Sequence, residues 1–203
     1  MRYVTPFLRS ISVGLALFSV ASFAAQAGDW FIHSPESTLA FSTVKASDVI
    51  ETHHLNGLTG TLTSDGVLSI HLAPASVDTG IQIRNERILK HIFKDGETPA
   101  PTLTAKLDKD TLSALTSTPI GTSTDILIES ELTLAGHSET LDLSLTVVHT
   151  GEASVIAFTN EPIVLDARAL GLADGVEILR NLAGLESISP IVPVSVRLTF
   201  HKN

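Results

Sequence analysis

Two groups of residues in this chain have side chains suited to recognition. Arg84, Arg87 and His91 fall together, with His91 four residues beyond Arg87. A guanidinium donates two parallel hydrogen bonds to a phosphate or carboxylate, so the trio suits an anionic headgroup. The same arginines could instead pair with Asp78, Glu86 or Asp95 on a solvated face. The second group, Glu51-Thr52-His53-His54, is the densest run of metal-ligand types. Neighbours on a strand point to opposite faces, so the two histidines chelate together only in a loop, and a polar loop is the plainer expectation. No metal site is expected: the chain lacks His-Glu-x-x-His, and its other histidines are scattered. It also lacks a Gly-x-Ser-x-Gly elbow, and no carboxylate pair is set by local spacing. With no Cys at all, thiolate nucleophiles, disulfides and zinc-thiolate sites are excluded. No catalytic residue is assigned, and no enzyme is expected.

The N-terminus carries a different signal. Arg2 and Arg9 are the only charges before Asp29, Ile11 to Ala21 is an apolar run, and Ala25-Gln26-Ala27 follows. Basic start, short apolar stretch and small-x-small end match a secretory leader. The run is too short to cross a bilayer, which takes roughly 20 apolar residues. The expected division is a cleaved signal peptide over residues 1–27 and one domain over residues 28–203, located in the periplasm, with no integral membrane segment after cleavage. The formal net charge is −9, and removal of Arg2 and Arg9 makes it more negative still. Nucleic acid is therefore not an expected partner, because phosphate neutralisation needs clustered Lys and Arg.

The elements that must hold these residues are mostly strands. Period-two alternation marks half-buried strands: it runs through Leu39, Phe41 and Thr43, then Leu58, Gly60 and Leu62, then Leu68, Ile70 and Leu72. It resumes at Leu103, Ala105 and Leu107, and again at Ile126, Ile128, Leu132 and Leu134. Leu141 to Val147 and Val155 to Ala157 continue it, and Val192 to Phe200 closes the chain. Ser64-Asp65-Gly66, Ala135-Gly136-His137 and His149-Thr150-Gly151-Glu152 are hairpin candidates. Seven or eight strands on short turns imply an all-β antiparallel meander, and closure into a barrel removes its edges. Asn85 to Phe93 and Gly175 to Leu185 break the alternation with helical spacing, which gives one or two short helices lying across a barrel mouth.

The order of these segments resembles a known family. Asp29-Trp30 followed by Ser37-Thr38-Leu39-Ala40-Phe41 is similar to its opening, and Leu58-Thr59-Gly60-Thr61-Leu62 to its second strand. Ser76-Val77-Asp78-Thr79-Gly80, then Arg84-Asn85-Glu86-Arg87-Ile88-Leu89 and Phe93, resembles its Ser-aliphatic-Asp-Thr segment and the helix after it. Glu131 to Gly136 resembles its Leu-Thr hairpin, and Leu170-Gly171-Leu172 its late Phe-Gly-Leu segment. On these residues the chain is identified as a member of the YceI-like family of periplasmic lipid-binding proteins. The resemblance spans the mature chain. It departs at Asn85, where Asp is usual, at His137-Ser138-Glu139, and in the longer Gly175 to Pro190 region.

The resemblance implies an eight-stranded antiparallel lipocalin-like β-barrel with an apolar cavity, and a polyisoprenoid or other long-chain amphiphile as ligand. It implies no cofactor beyond such a bound lipid, and it allows a homodimer. Alternation alone fits a solid core as well as a hollow one, since an eight-stranded barrel can be filled or can hold one small ligand. On the hollow reading, Phe41, Leu58, Leu62, Ile70, Leu89, Phe93, Leu103, Ile128, Leu132 and Leu143 meet the tail. Arg84, Arg87 and His91 meet the headgroup. Two other readings stand beside it: a stress-related interaction module with a filled barrel, and a quinone-handling accessory of a membrane redox partner.

Overall fold

The alternating segments pair in chain order, and the last closes on the first. The computed structural model describes residues 29–202; the expected leader lies outside the described residues. The strands are β1 (Trp30–Ile32), β2 (Thr38–Lys45), β3 (Val49–Leu55), β4 (Leu58–Leu62), β5 (Val67–Leu72) and β6 (Val77–Asp78). They continue as β7 (Thr102–Lys106), β8 (Ser123–Leu134), β9 (His137–Gly151), β10 (Ser154–Thr159), β11 (Ile163–Asp166) and β12 (Ile191–Lys202). Three helices complete the described residues: α1 (Gln82–His91), α2 (Lys109–Ser117) and α3 (Ala173–Leu182).

These segments make eight staves of one closed, antiparallel barrel. β1 and β2 lie end to end along β12. β3 and β4 back them in the same way, β5 and β6 run along β4 and β3, and β10 and β11 run along β12. β7, β8, β9 and β12 are single staves, and the β1–β12 ladder (Trp30 opposite Lys202) seals the ring. Three of the breaks hold a proline: Pro35 and Pro74 in short 3-10 turns, and Pro162 between β10 and β11. Proline has no N–H for a ladder, so a stave pauses there and resumes in register. The tight β8–β9 hairpin uses two positive-φ residues, Ala135 (φ 53°) and Gly136 (φ 84°), the pair that lets a turn follow strand twist.

Counting along the chain fixes the two ends. The β2–β3 hairpin, α1, the β8–β9 hairpin and α3 gather at one end; the β4–β5 turn and α2 lie at the other. α3 packs on α1 because Gly175 brings its backbone against the carbonyl of His91, where a Cβ would have no room.

Three sequence expectations change. Glu51–His54 is not a polar loop but the middle of β3. The two expected helices begin earlier, at Gln82 and Ala173, and end before Phe93 and Leu185. Among the described residues there are three helices, not one or two: α2 is held by Asp108, whose side chain accepts the Thr111 N–H at 2.7 Å, a typical N-cap.

Candidate functional site

Inward-facing side chains do not fill the barrel. A cavity of about 590 Å³ lies within it, lined mainly by Leu, Ile and Val from every stave. The alternation explains this directly. On β8, Ile126, Ile128 and Leu132 turn inward while Leu127 is 68% exposed. The inward set has few aromatics, so little bulk crosses the lumen. Trp30, Leu115 of α2 and His149 line it from the α2 end, with the Trp30 and His149 rings edge-on at 6.5 Å. At the other end the lining comes from α1, α3 and the β2–β3 region.

Of the residues expected to meet a tail, all but Leu89 line this cavity. Arg84 and Ile88 on α1, and Ile92 just past its C-terminal end, are spaced four apart and face the lumen together. Leu89 sits about 100° round the helix from Ile88 and is not part of the lining. Arg84 and Arg87 line the cavity, whereas His91 does not. His91 ends α1, beneath α3, and lines a separate recess of about 280 Å³ with Lys90, Lys94 and Asp174. It is thus set apart from the arginines it was grouped with.

The mouth is ionic. Glu51 on β3 receives Lys45 at 2.7 Å and Arg84 at 2.6 Å, both on Oε2. Arg84 therefore pairs with Glu51, not with Asp78, Glu86 or Asp95. Register across the β2–β3 hairpin places Lys45 and Glu51 on the same inward face, and α1 lays Arg84 over them. Arg87 donates to the Leu182 carbonyl of α3 at 3.4 Å. His53, two residues along β3, is buried at 2% exposure, with Nε2 3.2 Å from Thr43 Oγ1 and 4.0 Å from Glu51. Its Nδ1 has no hydrogen-bond partner. His54 points outward and is exposed, so the two adjacent histidines cannot chelate together. Lys45 and Thr43 were not singled out as site residues in the sequence, and Glu51 was weighed there only as a metal-ligand type. Lys45 continues the Leu39, Phe41, Thr43 alternation, and that periodicity could have found it.

The hydrogen-bonded Lys45 ammonium, with Arg84 beside it, holds the Glu51 carboxyl below its ordinary value. Burial, reinforced by the Arg84 charge, pushes the His53 imidazole below its ordinary value. Both shifts have the same sign in linkage. The His53 contribution to stability is complete above pH 6.5 and fades as pH falls toward its lowered folded value. The Glu51 contribution is complete above 4.5 and is lost as pH drops through its own lowered value. Thermal unfolding followed from pH 7 to pH 3.5 should therefore show a stability loss in two stages. Glu51→Gln should flatten the lower stage relative to the parent protein; an unchanged acid limb would show that the ion pairs of Glu51 with Lys45 and Arg84 contribute nothing.

No protein-family model and no curated protein sequence matches the chain. Solved structures do. A polyisoprenoid binding domain from Saccharophagus degradans, implicated in plant cell wall breakdown, superposes with a TM-score of 0.81 at 28% identity, over 86% of this chain and 98% of its own. BcnA of Burkholderia cenocepacia shares the fold, with a TM-score of 0.63 at 16% identity, over 83% of this chain and 98% of its own. The eight-stave barrel, the order of its motifs and the likeness to the Saccharophagus domain agree in supporting a YceI-like family for the chain.

Proposed function

We propose that this protein is a non-catalytic carrier that buries the tail of a polyisoprenoid or similar long-chain lipid in the barrel and holds its headgroup at the ionic mouth. The cavity carries the reading: about 590 Å³ of apolar lumen falls within the usual range for a small-molecule site. Burying about ten CH₂ equivalents gains roughly 8 kcal/mol gross, before ordering costs that reduce it. The Saccharophagus neighbour's description as a polyisoprenoid binding domain supports the ligand class. At the mouth, Lys45, Arg84 and Arg87 outnumber Glu51, which favours an anionic headgroup. A filled-barrel interaction module accounts less well for so large a void. Placement in the periplasm rests on the secretory pattern of residues 1–27. Among the described residues no helix is long and apolar enough to cross a membrane.

The test is chain-length dependence. Delipidated protein is titrated with a homologous series of alkyl or prenyl phosphates, read by displacement of a fluorescent fatty-acid probe. Each added methylene should tighten binding by roughly fourfold, from about 0.8 kcal/mol per CH₂, until the lumen is full and the gain stops. Affinity independent of chain length would contradict the proposal.

A further inference from the structure

On the outer wall of the barrel, away from the cavity, three side chains of metal-ligand type converge. His33 follows β1, Glu36 lies in the 3-10 turn before β2, and His201 lies on β12. His33 Nδ1 is 3.5 Å from Glu36 Oε2, and His201 Nε2 is 3.8 Å from the same oxygen. The three ligand atoms all lie within 4.8 Å of one another. The imidazoles stack with centroids 4.7 Å apart and planes 12° from parallel. Phe200 faces the lumen, so alternation turns His201 outward.

The backbone beneath this group is tied down from both sides. His33 N–H donates to the Thr199 carbonyl at 2.8 Å. The Thr199 N–H donates to Ser37 Oγ at 3.0 Å, and Ser37 Oγ donates to the His33 carbonyl at 2.9 Å. Thr199 Oγ1 donates to the Glu36 carbonyl at 3.3 Å. The side chains stand half-exposed on this fixed frame, with His33 Nδ1 itself covered.

Hydrogen bonding does not explain the arrangement. Separations of 3.5 and 3.8 Å exceed the 2.7–3.2 Å range of N–H···O bonds, and His33 Nδ1 is shielded from solvent with no hydrogen-bond partner. Coordination explains it better. Bonds of about 2.0–2.1 Å to imidazole nitrogen and carboxylate oxygen in tetrahedral geometry separate the ligand atoms by roughly 3.3–3.4 Å. The observed spacings are close to that, and the stacked imidazoles must turn out of their near-parallel arrangement for both lone pairs to meet one ion. Two imidazoles and a carboxylate suit Zn²⁺, Ni²⁺ or Cu²⁺ and not Mg²⁺ or Ca²⁺, which take oxygen ligands.

We infer that His33, Glu36 and His201 form a binding site for a divalent transition-metal ion, Zn²⁺ foremost, with a fourth position left to water. The ion bridges β1 and β12 at the seam where the barrel closes, so it stabilises the folded state by mass action. Neighbouring residues in the sequence could not reveal the site, because its members come from the two ends of the domain and meet only through barrel closure.

The test uses the untagged protein, titrated calorimetrically with ZnCl₂ and, in parallel, with MgCl₂. One equivalent of Zn²⁺ should bind, the melting temperature should rise, EDTA should reverse the rise, and Mg²⁺ should do nothing. His201→Asn and Glu36→Gln should each weaken Zn²⁺ binding roughly tenfold or more while leaving fatty-acid probe uptake and circular dichroism unchanged. Absence of Zn²⁺ binding would overturn the inference. So would binding retained in the His33→Asn/His201→Asn double variant, which would place the ion on other histidines.

Discussion

Leu132→Arg should reduce lipid uptake by more than about a hundredfold. Leu132 lies inside β8 opposite Leu103, is 7% exposed and lines the cavity. A guanidinium there faces the apolar walls of the cavity. An uncompensated buried charge costs roughly 3 kcal/mol or more, and 1.4 kcal/mol is a factor of ten in affinity. The same cost weakens folding, so a second variant separates blockage from collapse. Ala157, also inward-facing on β10 and lining the lumen, can become Phe. Ala157→Phe adds a ring to empty space without a charge, and it should lose uptake while keeping a barrel circular dichroism spectrum. Probe displacement checks both. A folded Ala157→Phe that binds like the parent would show that ligand does not occupy this part of the lumen.

Leu58→Ala should be the most damaging of the simple truncations. Leu58 is 1% exposed at the start of β4, in the main core with Leu55, Leu68 and Ile70. It sits where the stave resumes after the Asn56-Gly57 break, and the Gly57 N–H donates to Ser76 Oγ at 2.7 Å there. That anchored backbone limits collapse around a lost side chain, so the cost should be about 3 kcal/mol. At 2–4 °C per kcal/mol for a domain of this size, the melting temperature should fall by roughly 6–12 °C. Leu62→Ala, at a half-buried position on the same stave, should cost clearly less. Equal losses at the two positions in thermal unfolding would contradict this view of where the core is tight and where it is open.

The strands were legible because most staves keep apolar residues on one face and polar residues on the other. The exception is instructive. Glu51 to His54 was taken for a polar loop because its inward positions are Glu51 and His53, which break the apolar-in rule. Local rules tend to fail at functional sites, and here the failing positions form the ionic mouth. α2 was missed for a plainer reason: its Thr and Ser residues leave a weak apolar stripe, and its stability comes from the Asp108 cap and from Leu115 reaching the lumen. The arginines of α1 were legible from their chemistry, but their partner was not. Arg84 and Glu51 are 33 residues apart, and only the lie of α1 across β3 joins them. His91 was misgrouped because helical proximity to Arg87 said nothing about α3, which packs over the end of α1.

The most direct test of the carrier account is native mass spectrometry of the protein isolated from its own cells, followed by extraction of whatever travels with it. The account predicts one long-chain amphiphile per barrel, released on denaturation, with a mass that identifies its class. A ligand-free mass, together with no uptake of added polyprenyl or fatty-acyl lipids, would contradict it.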